Sequence, residues 1–241
     1  MKITVQQIQS LKNTPNSPYE MIKPYFLFHS NKLEGSTFSE EEIAALMESS
    51  KVTGEHSLDD VIETHNSLGA LDFVVDTLGE PIDEALVVAI NTALLQKTSK
   101  DEQGFVGHYK KLGNIIRGTQ VQVALPCEVK AGMEELFEWW GNSSKQLASV
   151  VHFHVRFEHI HLFQDGNGRT GRFLIFKQCI ENNIDIPVIE QKYEQDYKQW
   201  LELAQVYGNE KPLLQVFENC QTTFQDKMQK ENLLDLSLYT A

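Results

Sequence analysis

Apolar residues return every three or four positions through most of the chain, a period that predicts helices. Leu86, Ile90 and Leu94 share one face of a segment from Pro81 to Gln96, with the proline near its first turn. Asp59 to Leu78 reads as another helix. Ser39-Glu40-Glu41-Glu42 is a capping box, in which a serine and a glutamate three residues on each accept the other's backbone N–H. Ile43, Leu46 and Met47 continue it at helical spacing. Val129, Met133, Leu136, Phe137 and Trp140 form a stripe, and Tyr193, Tyr197, Trp200, Leu201 and Ala204 form a second. Tyr25 to Gly35 reads as a short helix with a glycine stop, and Pro212 to Leu233 as a last helix. Polar links separate these segments: a loop at Asn13–Pro18, then residues 49–58, 97–108 and a connector around Pro187.

Two stretches depart from that pattern. Between Gln146 and Phe163, Val151, Phe153, Val155 and Phe157 alternate with polar residues like a strand, while Phe153, Phe157 and Ile160 also fit a helix. Asn114 to Val123 reads as two short strands around Arg117-Gly118-Thr119. Such a hairpin is marginal alone and must lean on the helices. Helices joined by short links, with one hairpin, give an all-α bundle.

Composition narrows the function. Hydrophobic residues make up 41% and charged residues 23%, normal for a globular chain with one sizeable core. The net charge of −13 argues against generic binding to nucleic acid or an anionic membrane. Any nucleotide site therefore needs its own local positive charge. Three scattered cysteines read as reduced thiols, and the start lacks the apolar run of a signal peptide. A cytoplasmic location is the expectation.

The chemistry concentrates in His161-Leu162-Phe163-Gln164-Asp165-Gly166-Asn167-Gly168-Arg169-Thr170-Gly171-Arg172. Gly166 and Gly168 let backbone N–H groups approach an anion. The chain after Gly168 reads as a helix, whose free N–H groups and partial positive charge favour phosphate. Arg169 and Arg172, three apart, share a face, and a guanidinium can donate two parallel bonds to phosphate. Asp165 would repel a bare phosphate but suits a Mg2+ that phosphates share. His161 can accept a proton near neutral pH. Gly166-x-Gly168-x-x-Gly171 also fits a dinucleotide fingerprint, yet the polar stretch Glu158–Asp165 stands where a strand should enter the first glycine. His152, His154, His159 and His161 could be a metal set, but no Cys-x-x-Cys or His-Glu-x-x-His accompanies them. Lys110 and Lys111 read as a solvated face rather than phosphate contacts.

The twelve-residue stretch resembles the signature of the Fic (filamentation induced by cAMP) family, His-Pro-Phe-x-(Asp or Glu)-Gly-Asn-Gly-Arg-x-x-Arg. It departs at one position, where Leu162 stands for proline, which touches backbone stiffness and not chemistry. The resemblance implies a protein adenylyltransferase that moves AMP from ATP to a hydroxyl of a target protein. By position, His161 would be the general base and Asp165 the Mg2+ ligand. Gly166, Asn167 and Gly168 would form the anion loop, Arg169 would contact the α/β-phosphates and Arg172 the γ-phosphate. Ser30-x-x-x-Glu34-Gly35 matches the family's inhibitory motif, which implies that Glu34 pairs with Arg172 and blocks the γ-phosphate seat. The family also places a helix at Gln146–Phe163 and a flap at the hairpin, where a target, this chain itself included, would dock by strand pairing. A homo-oligomer is compatible with this reading. The implied division is an N-terminal segment with the inhibitory helix (1–60), a catalytic core (61–205) and a C-terminal helical extension (206–241). Removal of AMP by the same site and a catalytically silent binding module are the alternatives.

Overall fold

The computed structural model describes residues 3–116 and 118–231 of the chain. Eleven α-helices occur among them: α1 (Val5–Lys12), α2 (Pro18–Lys32), α3 (Glu40–Ser49), α4 (Leu58–Asp76), α5 (Glu84–Leu95), the single turn α6 (Ser99–Glu102), α7 (Val129–Asn142), α8 (Leu147–Ile160), α9 (Asn167–Glu181), α10 (Glu194–Tyr207) and α11 (Lys211–Lys230). The all-α expectation holds, and elements from all three expected segments share one apolar cluster.

Helix α9 is the centre. Phe173, Leu174, Ile175, Phe176 and Ile180 are all buried, so it shows no single apolar stripe. A helix apolar on every side belongs inside. Helices α2, α4, α5 and α8 pack around it. Phe26 of α2 meets both Phe173 and Phe176, with ring centroids 5.7 and 5.2 Å apart. Each large apolar side chain buried this way contributes about 1.5–3 kcal/mol. This packing holds the start of α9, where the glycines and arginines lie, on a fixed base.

Several helix starts follow the sequence. Ser39 caps α3 as expected: the Glu42 N–H donates to Ser39 Oγ (3.2 Å) and the Ser39 N–H to Glu42 Oε2 (2.8 Å). Asp83 caps α5 by accepting the Leu86 N–H at 2.9 Å, so Pro81 precedes the helix instead of lying in its first turn. Helix α2 is longer than the reading from Tyr25. It starts with Pro18 at its first position and runs through Pro24. A residue before proline disfavours the helical region, which hides the first turns. Tertiary bonds offset that: Tyr19 Oη donates to Asp72 Oδ1 (2.9 Å) and Lys23 Nζ to Asp72 Oδ2 (2.7 Å) on α4. Helix α1 went unread within a mostly polar stretch. Its Ile8 and Leu11 are buried.

The hairpin is the main correction. No strand occurs among the described residues, and 114–116 and 118–123 form an irregular strap; Arg117 lies outside the described residues. The apolar alternation is present, but the backbone donors go elsewhere. The Gln120 N–H donates to Glu202 Oε1 on α10 (2.8 Å) and the Val121 N–H to Thr119 Oγ1 (3.3 Å). Just beyond, the Ala124 N–H donates to His159 O at 3.3 Å. The expected last helix is present to Lys230 and ends at Glu231, and residues 232–233 lie outside the described residues.

Candidate active site

Helix α8 ends at Ile160, short of the expected Phe163, because His161 turns left-handed (φ 49°, ψ 59°). For a residue with a side chain that conformation costs roughly 1–2 kcal/mol. The surroundings impose it. Leu162 and Phe163 are fully buried beside it. The Asn167 amide then spans the loop, accepting the Phe163 N–H (2.8 Å) and donating to Phe163 O (2.9 Å). Asn167 therefore shapes the anion loop from within, with its side chain committed to backbone. Gly166 caps α9 at φ 78°, and a Cβ there would lie 2.8 Å from Asn91 Nδ2 and 2.9 Å from Leu95 Cδ1. Asn91, a polar residue inside the apolar α5, donates to Asp165 O at 3.0 Å. Its place in an apolar stripe was a readable signal that the sequence reading passed over.

The two arginines follow on the first turns of α9, both nearly buried. Arg172 Nε donates to Ser30 Oγ (3.0 Å), and its Nη2 donates to Ser30 O (3.0 Å) and Glu34 Oε1 (2.6 Å). Ser30 and Glu34 thus meet Arg172 from the C-terminal end of α2, where Gly35 follows at φ 88°. Gly168 is required by the same contact: a Cβ there would collide with Glu34 Oε1 and lie 2.9 Å from Arg172 Nη1. The Glu34 carboxylate therefore rests on the start of α9, where a helix favours an anion. Burial pushes the Glu34 carboxyl up, but the Arg172 and Arg169 guanidiniums override it and leave it below the ordinary carboxylate range. Arg169 instead pairs with Glu63 of α4, and its Nε is buried without a partner. Burial raises the Glu63 carboxyl above the usual range, and Arg169 offsets this only in part. Glu63 carried no sequence signal.

Glu34 stands between two cavities. One, of about 530 Å³, is lined by His161, Gly168, Arg172, Glu158 and Tyr197, with Ile116 and Val121 of the strap. The other, of about 250 Å³, is lined by Arg169, Glu63, Asp60 and Thr37. In the first, burial and the neighbouring Lys110 ammonium push the His161 imidazole down to about 4, so it is uncharged at neutral pH and able to accept a proton. Burial raises Glu158 to about 8. Tyr197, from the stripe on α10, accepts or donates a 2.7 Å bond with His154 Nε2 behind Arg172. His152 pairs with Glu210 at 2.7 Å. These two histidines therefore serve packing.

Asp165 lies at the rim, 38% exposed. Its Oδ1 accepts the Gly166 N–H at 2.6 Å, and Oδ2 lies 3.6 Å from Lys100 Nζ. Oδ2, held only by that long ion pair, is the oxygen that would serve a Mg2+ whose remaining ligands are water and phosphate. Among the described residues no three His, Cys, Asp or Glu side chains are grouped to hold a metal by themselves. Lys110, read as solvated, is buried (3% exposed) beside His161.

Residues 81–179 match the family model described as Fic, Fic/DOC family. Over that span the chain is similar to the Fic/DOC family. It is 26% identical to the protein adenylyltransferase Fic of Culex quinquefasciatus over 225 residues, covering 88% of this chain and 41% of that protein. To the one of Nematostella vectensis it is 24% identical, covering 80% of this chain and 46% of the relative. The chain thus spans less than half the length of these curated relatives. Among solved structures, a Fic domain containing signaling protein from Bacteroides thetaiotaomicron superposes with a TM-score of 0.69 at 21% identity, over 98% of this chain and 94% of the other. Fic-1 from C. elegans gives 0.72 at 17% identity, over 95% and 71%. The helical bundle is a Fic fold. No described helix is long and apolar enough to cross a membrane.

Proposed function

We propose that the cleft transfers AMP from ATP to a hydroxyl side chain of a target protein, and that Glu34 restrains it. One observation carries the reading: His161, the start of α9 and Arg172 meet around one cleft, and a carboxylate occupies its anion seat. On this reading the target hydroxyl docks beside the strap, and the His161 imidazole takes its proton. The oxygen attacks the α-phosphorus in line, and pyrophosphate leaves. The N–H groups at the start of α9 and the Arg169 guanidinium receive the charge on the phosphates. Asp165 would hold Mg2+, which when bound neutralises triphosphate charge. Arg172 would seat the γ-phosphate once Glu34 leaves it. Tyr197 and Leu201 offer apolar surface in the same cleft for a base.

The reverse reaction, with Glu34 activating water to remove AMP, is the second reading. It draws on Glu34 lining the same cleft as His161, but a carboxyl held below its ordinary range is a weak base. A silent binding module would have no use for a half-buried uncharged histidine at an anion seat.

Incubation with α- or γ-labelled ATP tests the assignment. AMP transfer leaves the α-label alone on protein, and His161→Ala lowers incorporation about 100- to 10,000-fold with ATP affinity nearly unchanged by calorimetry. Incorporation of γ-label, or normal turnover by His161→Ala, refutes it.

A further inference from the structure

The geometry points to Lys110 as the positioning residue for His161, gripping the backbone on both sides of it so that the imidazole stays aimed into the cleft. This rests on the reading of His161 as the base.

The Lys110 N–H donates to Leu162 O at 2.8 Å, and its Nζ donates to Ile160 O at 3.2 Å. The carbonyls just before and just after His161 are therefore held by one residue. Between them lies the left-handed turn that carries the imidazole. Strained backbone of this kind persists only where neighbours over-determine it. The segment after Lys110 extends the splint: Asn114 Nδ2 donates to Phe163 O (3.1 Å) and Gln164 O (3.3 Å), and Gln164 Nε2 donates back to Asn114 Oδ1 (3.0 Å).

A lysine is a costly choice for this place. Lysines are almost never fully buried unless paired. The hydrogen-bond acceptor of this ammonium is a neutral carbonyl, and burial pushes it down to about 8. A neutral donor would satisfy the carbonyl at less cost. A cation does something more: it disfavours a proton on the adjacent imidazole. The charged groups facing His161 are Lys110, Glu34 from the end of α2 and Asp165 from the loop; Glu158, one turn back on α8 and raised to about 8, is largely protonated at neutral pH. The two carboxylates, Glu34 and Asp165, favour imidazolium, as does a bond to the Glu158 backbone; burial opposes them most, and Lys110 is the charged group that adds to it in keeping the base free. Both of its bonds go to the residues flanking His161, and so it is placed to act on the base.

The test uses the full chain carrying Glu34→Gly, with Lys110→Met and Lys110→Arg added separately. Lys110→Met should lower kcat for AMP transfer about 100-fold, the loss typical of an ångström-scale misplacement, with KM for ATP within about twofold. Lys110→Arg should recover most of it. The acidic limb of the kcat profile, and the His161 imidazole titration followed by NMR, should move to higher pH in Lys110→Met. Turnover within about threefold of the parent, an unmoved His161 titration, or a kcat loss matched by an equal loss of ATP affinity overturns the inference. Should Lys110→Met not fold, Lys110→Gln is judged by the same readings. If His161→Ala keeps turnover, the base assignment itself fails; if His161→Ala is inactive and Lys110→Met is not, only the role of Lys110 fails.

Discussion

Arg169 and Arg172 leave the same helix within one turn and meet opposite fates. Arg172 has its Nε and Nη2 taken by one piece of α2, through Ser30 and Glu34. Arg169 has one carboxylate partner, Glu63 from α4, and a buried Nε with none. The carboxylates differ in the same sense. Glu34 is held below the ordinary range and Glu63 is raised above it. Arg172 is therefore a closed set that a phosphate must break into. Arg169 keeps an unused donor and a partner that is costly to hold ionised. On the proposed reading the restraint on ATP is concentrated at Arg172, and Arg169 is already poised for phosphate.

The largest expected effect tests the open arginine. Arg169→Ala, added to Glu34→Gly, should lower AMP transfer at least about 100-fold, as removal of one donor to a developing oxyanion does. Turnover close to that of Glu34→Gly alone would remove Arg169 from the phosphate path.

Next comes the closed set. Glu34→Gly should raise incorporation of α-label, self-modification included, by at least about tenfold, equivalent to ~1.4 kcal/mol. Addition of His161→Ala should erase the gain. Ser30→Ala should release less, because Glu34 and the Ser30 carbonyl still hold Arg172. A Glu34→Gly variant no more active than the parent would end the restraint reading, and one that loses AMP removal would favour the reverse reaction.

The smallest effect sharpens the contrast. Glu63→Gln should change KM for ATP by no more than about threefold, the scale of a partly exposed ion pair. It should matter less as the pH falls, since Glu63, raised above the usual carboxylate range, takes up its proton before Glu34 does. Glu34, with its lowered value, contributes stability above the ordinary carboxylate range and loses it only as the pH drops through that lowered value. ATP titrations of parent and Glu63→Gln between neutral and mildly acid pH read this directly. A gain from Glu63→Gln as large as that from Glu34→Gly would break the asymmetry.

The contrast between the arginines was half legible. Ser30, Glu34 and Gly35 pointed to Arg172 only through their resemblance to the family's inhibitory motif; the spacing by itself reads as a solvated glutamate beside an incidental surface serine. Nothing local marks Glu63, which is one more acidic residue on a helix rich in them. The strap shows the converse failure. Residues 114–123 carry a strand-like alternation, but a strand needs a partner, and Gln120 found Glu202 instead. At Gln146–Phe163 the two periods competed, and burial of nearly every side of α8 explains why alternation and helical spacing both fitted.

What the sequence determined by itself is what depends on near neighbours. Glycines at 166 and 168 allow the loop and the bare helix start, the capping box starts α3, and the apolar stripes make a helical bundle. The tertiary structure alone decided which charges face each other. Glu34 reaches Arg172 across 138 residues of chain, Glu63 reaches Arg169 across 106, and Lys110 reaches Ile160 across 50. Charge carries no period, so a lysine bound for solvent and one bound for the core look alike in a string of letters. Packing around α9 decides between them, by burying one ammonium against the carbonyls that flank His161 and leaving another outside.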